Sequence, residues 1–156
     1  MADLRVPKRR AAAEVLLPGG ASRRIVLFLA EAASQHAGPE RPGDLLNGGA
    51  DFVPALDEAS GEMTFLNRAG LAAVRVAAAL EAELEDAPTI PTEHEVEVLL
   101  EDGGVLRGLV SYLRPPDHAR LVDFLNDPAP FFRLVEANGV ALVNKRHVAR
   151  VALVSR

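Results

Sequence analysis

The stretch "HEVEVLLED", residues 94–102, alternates Val96, Val98 and Leu100 with Glu95, Glu97 and Glu101. Period two with one apolar side is the pattern of a half-buried strand. Asp102-Gly103-Gly104 follows and predicts a hairpin turn, because glycine accepts positive φ at little cost. "VLRGLVSYL", 105–113, predicts the return strand, in which Gly108 marks a bulge or bend. Pro115-Pro116 ends it. "HARLVDFLND" has leucine-type residues too closely spaced for a solvated loop and predicts one or two helical turns. "FFRLVEA" reads as a third strand, and Asn138-Gly139 as a tight hairpin. "VALVNK" and "HVARVALV" complete five strands, separated by the short "NKRH".

The same series is written earlier in the chain. Glu14-Val15-Leu16-Leu17 repeats as Glu97-Val98-Leu99-Leu100. Gly19-Gly20 falls on Gly103-Gly104, Arg23 on Arg107, Val26 on Val110, Phe28 on Tyr112 and Leu29 on Leu113. The skeleton R-x-x-D-x-L-N occurs as Arg41, Asp44, Leu46, Asn47 and again as Arg120, Asp123, Leu125, Asn126. Phe52 then falls on Phe131, Asn67 on Asn144, Ala72 on Ala149 and Val74 on Val151. Collinear identities with gaps in loop-like places predict an internal duplication. The organisation expected is a mobile basic arm over 1–12, a first unit over 13–77, an acidic, proline-containing linker over 78–94 and a second unit over 95–156. Residues 77–85 read either as a strand continuing from Val76 or as an Ala/Glu-rich helix.

Three stretches resemble the Sm-like family of small β-barrels. Val96 to Leu109, V-x-V-x-L-x-D-G-x-x-x-x-G-L, is similar to its first motif. "DFLN", 123–126, stands near the place of its Asp…Asn loop, and "ALVNKRHVARV", 141–151, resembles its second motif. That second motif has Asn144-Lys145-Arg146-His147 where the family favours Arg-Gly. The resemblance implies a mainly β protein of two tandem five-stranded barrels of the Sm/SH3 kind, each with a short helical insert between its second and third strands. It also implies RNA contact at the 144–147 turn and a ligand role for Asn47 and Asn126. The residues themselves support another role for the doubled motif. Asp44 and Asp123 would cap or pair with Arg41 and Arg120, Leu46 and Leu125 would plug each unit, and the asparagines would end the turn in a left-handed conformation.

Composition narrows the chemistry. The chain has 156 residues, 49% of them hydrophobic, which suffices for a packed core. The net charge of −5 argues against a protein that mainly coats nucleic acid. With no cysteine there is no disulfide, thiolate nucleophile or cysteine-held metal, in keeping with a cytoplasmic protein. Neither a secretory leader nor a membrane-spanning run is read, and the Ala/Arg/Gly/Pro-rich usage points to a bacterial source. No Walker loop, dinucleotide fingerprint or HExxH is present. The histidines, His36, His94, His118 and His147, match no metal spacing, so no catalytic residue, metal or cofactor is assigned. The expected role is a non-enzymatic interaction or regulatory adaptor that binds a protein partner or itself. The first alternative is RNA binding through Asn144, Lys145, Arg146, His147 and Arg150, with Lys8-Arg9-Arg10 in support. The second is a small-ligand binder or enzyme with a cleft between the units.

Overall fold

The computed structural model describes residues 8–33, 38–82, 91–113 and 120–154. The chain is mainly β. Its strands are β1 (Lys8–Leu16), β2 (Ser22–Ala30), β3 (Phe52–Asp57), β4 (Met63–Asn67), β5 (Ala73–Val76), β6 (Thr92–Leu100), β7 (Val105–Tyr112), β8 (Phe131–Glu136), β9 (Gly139–Asn144) and β10 (Val148–Leu153). Two one-turn helices, α1 (Pro42–Leu46) and α2 (Leu121–Leu125), stand between the second and third strand of each half.

All ten strands form one open antiparallel sheet in the order β10-β6-β7-β8-β9-β5-β1-β2-β3-β4. The sequence predicts two tandem five-stranded barrels; the structure has one continuous open sheet, in which β5 pairs with β9 across the middle. Within that sheet the second half repeats the first: a central hairpin, a third and fourth strand on one side, and the fifth strand on the other. The hydrogen bonds at the turns repeat as well. Arg68 N donates to Asp51 O, and Lys145 N donates to Pro130 O. The Asn67 side chain accepts from Ala69 N as the Asn144 side chain accepts from Arg146 N.

Alternation sets the core. Val96, Val98 and Leu100 are buried on one side of β6, and Ala11, Ala13 and Val15 on one side of β1. Two apolar clusters result. The first is built on Ile25, Leu27, Leu29, Leu46 and Val53, and it also takes Phe131, Val140 and Leu142 from the second half. The second is built on Val96, Val98, Val110 and Leu134, and it takes Ala72 and Ala73 from the first half. Phe131 and Phe132 point to opposite faces of β8, as neighbours in a strand must, and so enter different clusters. Burying each such large side chain contributes roughly 1.5–3 kcal/mol.

Several local expectations change. Lys8, Arg9 and Arg10 belong to β1 and pair with Ala30, Leu29 and Phe28, so the arm does not extend through residue 12; residues 1–7 lie outside the described residues. The stretch after β5 is neither strand nor α-helix at its start: Ala78–Glu81 forms a 3-10 turn. β6 begins at Thr92, so the second unit starts earlier than 95. β7 runs past Gly108 in register with β6, without a bulge. Gly108 instead permits close approach, since a Cβ there would lie 2.3 Å from Val135 O. The register shift falls in β10, between Val148 and Arg150. Pro115-Pro116, His36 and His118 lie outside the described residues. No described helix is long and apolar enough to cross a membrane.

Candidate interaction edges and the inner seam

The doubled motif divides in its details. In the first half Arg41 N donates to the Asp44 carboxylate at 2.8 Å, and the Arg41 guanidinium reaches it at 3.4 Å. In the second half Arg120 pairs with Asp123 at 3.1 Å. Asp44 therefore both caps and pairs, and Asp123 pairs with its arginine. Leu46 is fully buried, as a plug should be, whereas Leu125 is half-buried against the second cluster. Neither asparagine is left-handed: φ is −90° at Asn47 and −92° at Asn126.

Asn47 does something the spacing did not foretell. Its side-chain amide donates to Phe131 O at 3.2 Å, and its side-chain oxygen accepts from Phe131 N at 2.8 Å. It thus continues the sheet's hydrogen bonding from α1 onto the first residue of β8, in the other half. Asn144 returns the favour. It is buried, its N–H donates to Ala72 O, and its side-chain amide donates to Leu71 O at 2.9 Å and Arg68 O at 3.2 Å.

Around these two asparagines the seam is closed by the β5–β9 pairs Ala73–Val143, Val74–Leu142, Arg75–Ala141 and Val76–Val140. Arg75 binds Glu136 through two contacts of 2.9 and 3.1 Å and Glu14 at 3.4 Å. The Glu136 hydrogen bond is the main cause of the upward shift of its pKa, so the guanidinium stays charged. Buried Glu81 accepts from Gly43 N at 2.8 Å and meets Arg133 at 3.1 Å. At the hairpin tips the Asp102 carboxylate accepts from Gly104 N at 2.8 Å and from Gly19 N at 2.7 Å. Those backbone donors, Gly104 first, hold the Asp102 carboxyl below the usual carboxylate range.

The basic turn proposed for RNA sits at this seam. Lys145 Nζ donates to Asp127 O at 2.5 Å. His147 Nε2 lies 2.6 Å from Ala69 O, and since a carbonyl only accepts, Nε2 carries the proton. With Asn144 buried, three of the five residues are engaged in structure, and Arg146 and Arg150 are the exposed cations of the set. Lys8, Arg9 and Arg10 are in a strand at a distance in sequence, without forming a free arm.

A cleft of about 540 Å³ opens along the same seam, lined by Gly43, Asn47 and Glu81 from the first half and by Tyr112, Phe124 and Arg133 from the second. His94 Nε2 is 3.0 Å from the Tyr112 hydroxyl, and Tyr112 stacks on Phe124 with ring centres 5.0 Å apart. Among the described residues no group of three or more His, Asp or Glu side chains could hold a metal ion.

The outer ends of the sheet contrast with the seam. β4 and β10 each lack a described neighbour on one side. Phe52, Met63 and Phe65 are 58%, 52% and 66% exposed, and Leu153 is 60% exposed. Their repeat counterparts at the seam, Phe131, Val140, Leu142 and Val76, are 3%, 4%, 2% and 6% exposed. A continuous apolar run was the available signal for the seam. "LAAV" (71–74) and "VALV" (140–143) do not alternate, and strands buried on both faces read that way.

The chain matches no protein-family model, no curated protein and no solved structure.

Proposed function

We propose that the protein is a non-enzymatic interaction adaptor, built from two duplicated, strongly bent units of the small-barrel kind, and that it binds partners by strand addition at its free edges. The observation that carries this reading is the exposed apolar lining of those edges. Proteins usually blunt open edges with lysine, proline, bulges or covering segments. β4, "MTFLN", has no charge and no proline. Strand addition supplies main-chain hydrogen bonds for affinity and side-chain contacts for specificity. The repeated strand order and repeated turn hydrogen bonds support the duplication and the small-barrel resemblance. A cytoplasmic setting suits the absence of cysteine.

The test compares wild-type chain with the double variant Phe65→Lys, Leu153→Lys, both tagged and both checked for fold by circular dichroism. Proteins recovered with wild type should be lost with the variant. An identical set from both would contradict edge binding. The RNA reading is tested in parallel through the exposed cations. A salt-sensitive nanomolar complex with single-stranded RNA, destroyed by Arg146→Glu with Arg150→Glu, would replace the adaptor reading.

A further inference from the structure

Resting on the edge-binding reading, we propose that the partner at these edges is a second copy of this chain: β4 of one copy pairs with β10 of the next, in the register of the inner seam.

The seam is the template. It joins the fifth strand of the first half to the fourth strand of the second. The free strands are the fourth of the first half and the fifth of the second, which are the same two kinds of edge. Placing Asn67 on Asn144 and Val74 on Val151 carries the seam pairs over directly. Val74–Leu142 becomes Val151–Phe65, Arg75–Ala141 becomes Ala152–Thr64, and Val76–Val140 becomes Leu153–Met63. Phe65, Met63 and Leu153 are among the large apolar side chains left in water. In the pairing each would occupy the position of a residue that the seam buries.

The asparagines extend the match. Asn126, the counterpart of Asn47, is exposed and would reach Phe52 N and O of the next copy, as Asn47 reaches Phe131. Asn67, the counterpart of Asn144, is likewise exposed on β4. The repetition of Asp-x-Leu-Asn then has one explanation in both halves: each asparagine stitches its unit to the following one. One difference weakens the outer contact. Ala152 stands in the place of Arg75, so the ion pair with Glu136 has no equivalent there. Pairing of unlike edges is heterologous and builds a ring if the rotation closes, or a filament if it does not.

The test uses the purified full chain. Sedimentation over a wide concentration range should show mass rising with concentration, and Phe65→Asp with Leu153→Asp should hold the chain monomeric throughout. The chain has no cysteine, so introduced ones report cleanly. A mixture of the Thr64→Cys and Ala152→Cys proteins should form a mixed disulfide under mild oxidation, because opposed Cα atoms in an antiparallel pair lie about 4.5–5.5 Å apart. Neither protein alone should cross-link. Arg150→Cys in place of Ala152→Cys should cross-link poorly, since a diagonal neighbour is about 7–8 Å away. A chain that stays monomeric at every concentration overturns the proposal, as does cross-linking of either single variant with itself. A monomer would leave edge binding to other proteins standing, since that reading depends on edge-dependent capture.

Discussion

The closed seam and the open edges are the same surfaces in different company. Leu142 and Phe65 hold equivalent places on equivalent strands, yet one is in the first half's core and the other is in water. The difference is not one of local sequence propensity, since both strands are apolar and both pair correctly on their inner side. It lies in whether a fifth strand is alongside. An apolar residue on an edge is therefore half of a core whose other half is elsewhere in the chain or in another molecule.

The largest expected effect breaks this contrast at its centre. Leu142→Ala should cost about 2–5 kcal/mol, the range for emptying a packed leucine site. Phe65→Ala, measured by denaturation of the dilute chain, should change stability by no more than about 0.5 kcal/mol, as surface substitutions do. Equal losses would mean that β4 is already covered. The asparagine pair gives an intermediate effect. Asn144→Ala leaves the Leu71 carbonyl without its side-chain donor and should cost about 1–3 kcal/mol. Asn67→Ala removes a turn cap and should cost within about 1 kcal/mol.

The smallest effect concerns pH. Asp102 and Asp57 both have carboxyls held below their ordinary range, chiefly by backbone donors, Gly104 for Asp102 and Ser60 for Asp57. A lowered folded pKa contributes stability that is present above the unfolded value, near 4, and is lost as pH falls through the folded one. Of the two carboxylates, Asp102 ties the halves together, through Gly19, whereas Asp57 binds within its own half, to Ala59 N and Ser60 N. Asp102→Asn should therefore flatten part of the acid side of the melting-temperature profile and loosen the hairpin tips. Amide exchange at Gly19 should quicken in Asp102→Asn and stay unchanged in Asp57→Asn.

Much of the strand pattern was legible. Alternation placed Val96, Val98 and Leu100 inward, Asn138-Gly139 marked the β8–β9 hairpin, and the repeat set Asn67 on Asn144, which hold equivalent places in the structure. The short helical inserts fell where the leucine spacing put them. The seam was not legible by alternation, because pairing of β5 with β9 is a contact between distant segments that the period-two pattern does not encode. Two tandem barrels and one continuous sheet demand the same half-buried strands, and they differ in β5 and β9, where both faces are buried. The contacts of the basic turn were not legible for a related reason. Asn144, Lys145 and His147 look solvated in one dimension, and they become partners of Leu71, Asp127 and Ala69 once the chain folds back on itself.

Residue-resolved hydrogen exchange at two protein concentrations tests the central claim most directly. The Asn144 amide bonds Ala72 O across the seam and should be protected in both dilute and concentrated samples. Its counterpart on β4, the Asn67 amide, should exchange rapidly when dilute and become protected when concentrated, together with Phe65, whose amide points the same way along the strand. Protection of Asn67 that does not change with concentration, or rapid exchange at both, would contradict the account that the outer edges complete themselves as the seam does.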